Sequence, residues 1–222
     1  MKIDELIDNF PVFYHMAEDG SWNSIREHGL LSTTAILDLY EYNGEVRQKI
    51  ETCHRPDSIE IHHDTYGNAV IRDQKPMSDS TLEKCLQDNL TPNDWYEMLN
   101  HKTFFWTSED RLNRLLNARP YRNRPHDVLI IQSQELIRAY AHNIYLSPMN
   151  SGCTRPFPHP RGRNTFSKID EYPFTTRKRK AVGVWDAVVE VAIQGGVPDI
   201  AKYVLRVESR QGNDFIEEVW TR

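Results

Sequence analysis

Apolar residues fall along this chain in short blocks separated by turn signals, and two of the blocks are nearly continuous. Asp127-Val128-Leu129-Ile130-Ile131 predicts a buried strand, and Ala187-Val188-Val189-Glu190-Val191-Ala192-Ile193 predicts another, broken by a single carboxylate. Thr103-Phe104-Phe105-Trp106-Thr107 predicts an aromatic strand, and shorter strands are expected at 144–146, 203–207 and 216–220. Residues 57–62 alternate as a strand does, with 69–71 as the hairpin partner across a turn at Tyr66-Gly67-Asn68. Helical spacing covers 24–42 with a break near Gly29, beyond which Ser32 or Thr33 caps the second part, and 44–49 extends it. Further helices are expected over 80–88, from Thr91-Pro92 to about Asn100, from Ser108 onward, and over 133–140. Mixed helices followed mostly by strands make the class α+β. Residues 147–180 show no periodicity and predict one long loop, a feature that in a compact domain is usually functional or disordered.

The 222 residues suit one domain spanning 1–222, and 39% hydrophobic content with five Trp, eight Phe and ten Tyr is enough for a core. No apolar run approaches the roughly 20 residues of a membrane span, and the acidic start Met1-Lys2-Ile3-Asp4-Glu5 lacks the pattern of a signal peptide. Three widely spaced cysteines argue against a disulfide framework, so a cytoplasmic protein is expected. Charge changes the picture more. Residues 155–180 hold eight Lys or Arg against two acids, so that segment carries +6 and the remainder −11 of a net −5. A basic segment on an acidic body is either a solvated loop or the place where an anionic ligand is met.

Three places hold candidate chemistry. Glu190 lies inside an apolar strand, where a carboxylate is costly to bury unless it is paired or does work; on an exposed strand face it is an ordinary surface residue. His15 ends Phe13-Tyr14-His15-Met16, and a short helix then leads to Gly29-Leu30-Leu31-Ser32; taken alone, it reads equally as a core histidine. Phe104-Phe105-Trp106 cannot all face one side of a strand, so two pack and one is left to stack on a planar ligand. Cys53, His54, His62 and His63 match no zinc spacing, and no metal is expected.

Taken together, His15, the aromatic strand and Glu190 resemble the three signature elements of the ADP-ribosyltransferase superfamily, in the same order. The likeness is strongest to the DarT-type enzymes that modify nucleic acid bases. Tyr14-His15 with Ile25 and Gly29-Leu30 resembles their opening, and Glu190-Val191-Ala192-Ile193 with Val197-Pro198 their closing segment. The histidine and the Ile-x-x-x-Gly-Leu pattern also occur in the related RNA 2′-phosphotransferases. Thr107-Ser108-Glu109-Asp110 intervene before Arg111, whereas DarT-type enzymes place a functional arginine close behind the aromatic strand. Residues 43–100 have no counterpart and stand as a family-specific insertion.

The resemblance implies a split mixed or antiparallel sheet with flanking helices, NAD as co-substrate, and no metal. It implies Glu190 and His15 as catalytic residues, with His15, Met16, Phe105 or Trp106, Ser108 and Arg111 about the NAD. Residues 147–180 would carry target recognition, with Arg161, Arg163, Arg177, Lys178, Arg179 and Lys180 on phosphates and the interleaved Phe157, Phe166, Tyr172 and Phe174 beside them. The expected function is transfer of ADP-ribose from NAD to RNA or single-stranded DNA, in the setting of a bacterial toxin or phage-defence effector, with a neutralising antitoxin left open. Transfer to a protein, a phosphotransferase activity, and a catalytically silent nucleic-acid-binding module remain as alternatives.

Overall fold

A computed structural model describes residues 1–181 and 183–222. Its centre is an eight-stranded sheet made of two halves. One half contains β1 (Val12–Glu18), β6 (His126–Gln132), β11 (Val204–Gln211) and β12 (Asp214–Thr221); the other contains β5 (Lys102–Trp106), β7 (Ile144–Ser147), β8 (Ser167–Lys168) and β9 (Glu190–Gln194). The order across the sheet is β12-β11-β6-β1-β5-β9-β7-β8, and every neighbouring pair is antiparallel, so of the two expected sheet types the antiparallel one is found. Within the halves the ladders are long: β1 and β6 align over seven residue pairs, and β5 and β9 over five. Between the halves, β1 and β5 align at Tyr14 with Trp106 and then part.

Strand alternation assigns the faces. Phe13, Leu129 and Ile131 turn to the larger core, covered by Leu6 and Phe10 of α1 (Ile3–Asn9) and its C-terminal flank and by Leu136 and Ile137 of α8 (Ser133–Tyr140). Val128, Ile130 and Tyr14 turn the other way, onto Leu112 and Leu116 of α7 (Glu109–Leu116). With both faces covered, β6 must be apolar on both, which explains its uninterrupted sequence. Each such side chain contributes roughly 1.5–3 kcal/mol on burial.

Residues 43–100 form α4 (Gly44–Thr52), β3 (Ile59–His63), β4 (Gly67–Ile71), α5 (Asp79–Leu82) and α6 (Pro92–Asn100). Ile50, Ile61 and Ile71 make a small core with Leu37 and Tyr40 of α3 (Thr33–Leu39) and its end, while Trp95, Tyr96 and Leu99 pack with Phe166 against the sheet at Ala192. Ser32, not Thr33, caps α3, its Oγ accepting from Ala35 N at 3.2 Å. The 24–42 helix is two helices, α2 (Trp22–His28) and α3, and 44–49 does not extend α3, because Glu41 takes a positive φ of 58° and turns the chain first. The hairpin turn falls at 64–66, two residues ahead of its predicted place. The 80–88 helix stops at Leu82, because Cys85 to Gln87 instead exchange backbone hydrogen bonds with Arg161.

The largest departure concerns 147–180. It is not one loop: β8 adds to the sheet edge, and α9 (Phe174–Lys180) packs Phe174 against Phe10. The strand carrying Glu190 is also shorter than 187–193, since Val184–Ala187 form the short helix α10.

Candidate functional site

The parting of β1 and β5 opens a cavity of about 530 Å³ in the middle of the sheet. His15 to Glu18 line one side and Lys102 to Phe104 the other, with Glu190 and Trp106 at its end. Trp106 aligns with Tyr14 on one side and Glu190 on the other, and Glu190 aligns with Ser147, so a single row of residues crosses the join of the two halves. Residues opposite one another in an antiparallel pair share a face, which sets the Glu190 carboxylate beside the Trp106 ring.

Glu190 is 4% exposed. Its Oε2 accepts from the Ser151 backbone N–H at 3.0 Å. The Ser151 hydroxyl lies close to the same carboxylate, buried and without a hydrogen-bond partner among the described residues. Burial pushes the Glu190 carboxyl up to about 7, against the opposing pull of Ser151, Arg161 and Arg111. A group poised near neutrality in a cavity wall is what acid–base or charge-stabilising chemistry uses.

The turn that carries Ser151 is itself held by Arg161. This arginine is 1% exposed, and its guanidinium donates to the carbonyls of Ser151 at 2.9 Å, Cys153 at 2.8 Å and His159 at 3.1 Å. The same group lies 5.7 Å from the centre of the Trp95 ring. A buried cation with carbonyls as its acceptors is expensive to desolvate, and Glu190 is the carboxylate whose charge it supports. Arg161 is therefore a clamp behind the site and not the phosphate contact that its place in a basic segment predicts.

His15 Nδ1 lies 2.8 Å from the Phe104 carbonyl, which can only accept, so Nδ1 carries the proton and Nε2 keeps a lone pair. Burial pushes this imidazole down to about 4, so it is neutral at working pH. Next to it, the Trp22 backbone N–H at the start of α2 donates at 2.9 Å to Oδ2 of the fully buried Asp127, fixing the turn Asp19–Ser21 along the cavity rim. Gly29 follows α2 with φ of 94°, and a Cβ there would come within 2.5 Å of Pro198. Only glycine fits, so Gly29-Leu30 and Val197-Pro198, distant in sequence, close together as β2 (Leu30–Leu31) on β10 (Gly196–Val197).

Among the predicted site residues, the structure brings Glu190, His15, Met16 and Trp106 to one cavity. Phe105 does not join them. It is 1% exposed in the larger core, 6.4 Å from Phe13 and 5.8 Å from His15 between ring centres, while Phe104 and Trp106 take the cavity side. Ser108 heads α7 and lines neither this cavity nor its neighbour. Arg111 lines the neighbouring cleft and is paired with Asp186. Arg163, exposed, offers its backbone N–H to Asp88, and Arg177 to Lys180 lie on α9 near the N-terminus; none of them lines either cavity. Phe166, Tyr172 and Phe174 are buried in cores, so of the four interleaved rings Phe157 is the exposed one.

Sequence reasoning missed the inner wall supplied by residues 43–100. Arg72, on the segment after β4, lines the cavity and pairs with Glu18 of β1 at 3.2 Å. Asn150 to Gly152, which the sequence leaves open as plain turn residues or as neighbours of a bound nucleotide, complete the wall behind Glu190. Arg72 follows the apolar run Ala69-Val70-Ile71 but opens the polar stretch Arg72-Asp73-Gln74-Lys75, so it reads as a residue past the strand end, and only the fold shows what it faces. No curated protein matches the chain. A family model does match, over residues 11–204, a span that includes both His15 and Glu190, and the chain belongs to that family, described as a family of unknown function (DUF7002).

Proposed function

We propose that this protein is an ADP-ribosyltransferase that uses NAD to modify a nucleic acid. The observation that carries the reading is the buried Glu190 at the end of a cavity set in a split antiparallel sheet, with neutral His15 on the facing strand. Such a split sheet, with a histidine on one half and a glutamate on the other, agrees with the sequence resemblance. The volume of about 530 Å³ is also in the range of small-molecule sites.

The reaction breaks the bond between nicotinamide and ribose C1′. Nicotinamide leaves with the electron pair, a nucleophile on the acceptor bonds to C1′, and the acceptor gives up a proton. Positive charge develops at C1′ as the bond breaks, and the ionised Glu190 stabilises it, in the way carboxylates act in glycoside hydrolysis. A preorganised charge of this kind in a water-poor site is commonly worth about 3–4 kcal/mol. The Ser151 N–H holds the carboxylate in place, and Arg161 holds Ser151. His15 Nε2 accepts from a ribose hydroxyl, the β1 backbone at Met16 lies along the carboxamide, and Trp106 stacks on the nicotinamide ring.

Incubation with labelled NAD and separate pools of RNA, single-stranded DNA and protein, for the wild type and Glu190→Gln, tests this. Label in a nucleic acid pool with the wild type alone is expected. Label in the protein pool would move the target, and equal labelling by the two proteins would overturn the role of Glu190.

A further inference from the structure

Behind Trp106 lies a second cleft, of about 580 Å³, which shares Trp106, Tyr121, Asn150 and Pro76 with the first. Its charged lining is Lys75, Arg111, Arg114 and Arg155, four cations and no carboxylate among the described residues. They come from three separate parts of the chain: the 43–100 insertion, α7, and the segment that follows Ser151. We propose that this cleft holds the sugar–phosphate backbone of a single-stranded nucleic acid and delivers its next nucleotide past Trp106 toward Glu190. The proposal rests on the transferase reading above and deepens it by placing the acceptor.

Five observations support it. A cleft whose only charged groups are cations concentrates field and favours a polyanion. Arg114 and Arg155 are exposed and make no ion pair among the described residues, so their charge is free for a ligand. Lys75 is paired with Asp57, itself 82% exposed on its side chain, and such a surface pair exchanges for a phosphate at little cost. Rings accompany the cations: Trp106 and Tyr121 line the cleft, and Phe157, two residues beyond Arg155, is 74% exposed. Cations for phosphates beside rings for bases are the elements of a single-strand site. Sharing Trp106 and Asn150 with the first cavity gives the site its direction, because a ligand lying in the cleft ends beside Glu190. The basic run of α9 fits less well, since it lines neither cavity and Arg177 and Lys178 lie over the buried rings of Tyr172 and Phe174.

Fluorescence anisotropy with the full chain tests the placement, using end-labelled ten-nucleotide DNA and RNA strands over a range of salt. Arg114 and Arg155 are exposed, so the double variant Arg114→Gln/Arg155→Gln keeps the fold. It is expected to bind at least tenfold more weakly than the wild type, with a salt slope shallower by about 1.4 for two lost single-strand phosphate contacts. A variant with Arg177, Lys178, Arg179 and Lys180 all changed to Gln is expected to bind within twofold of the wild type. Three results would overturn the proposal: unchanged binding by the double variant, loss confined to the α9 variant, or no strand bound by the wild type while a phosphopeptide is. The DNA and RNA arms separate the two sources of the phosphodiester chain. Calorimetry of NAD with the wild type is read separately: absence of NAD binding would count against the transferase, whereas the anisotropy result decides the cleft.

Discussion

Residues 147–162 and 163–180 are neighbouring halves of one aperiodic segment with arginines in both, yet the fold uses them in opposite ways. The first stretch wraps the site: Ser151 holds Glu190, Arg161 holds Ser151, and Asn150 and Arg155 line the two cavities. The second forms a sheet edge and a helix whose aromatic residues fill cores and whose cations face solvent away from the cavities. Charge density is higher in the second, but proximity to a buried carboxylate belongs to the first. A run of like charges therefore says less about function than a single arginine that the fold encloses.

The largest effect expected from testing this contrast is at Glu190 itself. Glu190→Gln keeps volume and removes charge, so transfer of label from NAD should fall by about 10²–10³, with an unchanged circular dichroism spectrum. Next is Arg161→Met, which leaves the three carbonyls it serves without their donor. Unfolding in urea should show a loss of about 3 kcal/mol. Because Arg161 favours the ionised carboxylate, the midpoint of the pH–rate profile should also move above its wild-type value. A merely structural role would lower stability and leave that midpoint alone.

The wild-type pH dependence gives the third test. With Glu190 held at about 7 in the folded protein and active when ionised, kcat/KM for NAD should fall as pH drops below about 7. Its folded value lies above the ordinary carboxyl value of 4.5, so the stability linked to this group is complete below about 4.5 and is lost as pH rises through about 7. Glu190→Gln should therefore be more stable than the wild type at pH 8, by up to roughly 3 kcal/mol at 1.4 kcal/mol per pH unit, measured by chemical denaturation. The smallest effect is expected on α9: changing Arg177 to Lys180 to Gln should alter transfer less than twofold. A tenfold loss there would erase the contrast between the two stretches.

Much of this architecture was legible in the sequence because local chemistry and burial agree. Thr91-Pro92 begins α6 as its cap residue and first-turn proline predict, with Thr91 Oγ1 accepting from Asp94 N at 3.3 Å. The apolar block 127–131 is the interior of β6, and Glu190 heads the strand in which an isolated carboxylate stood out. What the sequence did not yield depends on long-range placement. Phe105 and Trp106 are neighbours with equal claims to stacking, and alternation shows only that they face opposite ways; the cores assign Phe105 inward. Arg161 reads as a surface cation because its acceptors are backbone carbonyls, which leave no sequence signal. Helix α9 buries Phe174 and little else, so it has no apolar period to detect.

The most direct test of the central claim is release of nicotinamide from NAD, followed by chromatography, with pooled single-stranded nucleic acid and protein present as acceptors. Wild type and Glu190→Gln are compared from pH 5 to 9. The account predicts release by the wild type that rises through about pH 7 and is nearly absent in Glu190→Gln at every pH. Equal release by both proteins, or none by the wild type, would contradict it.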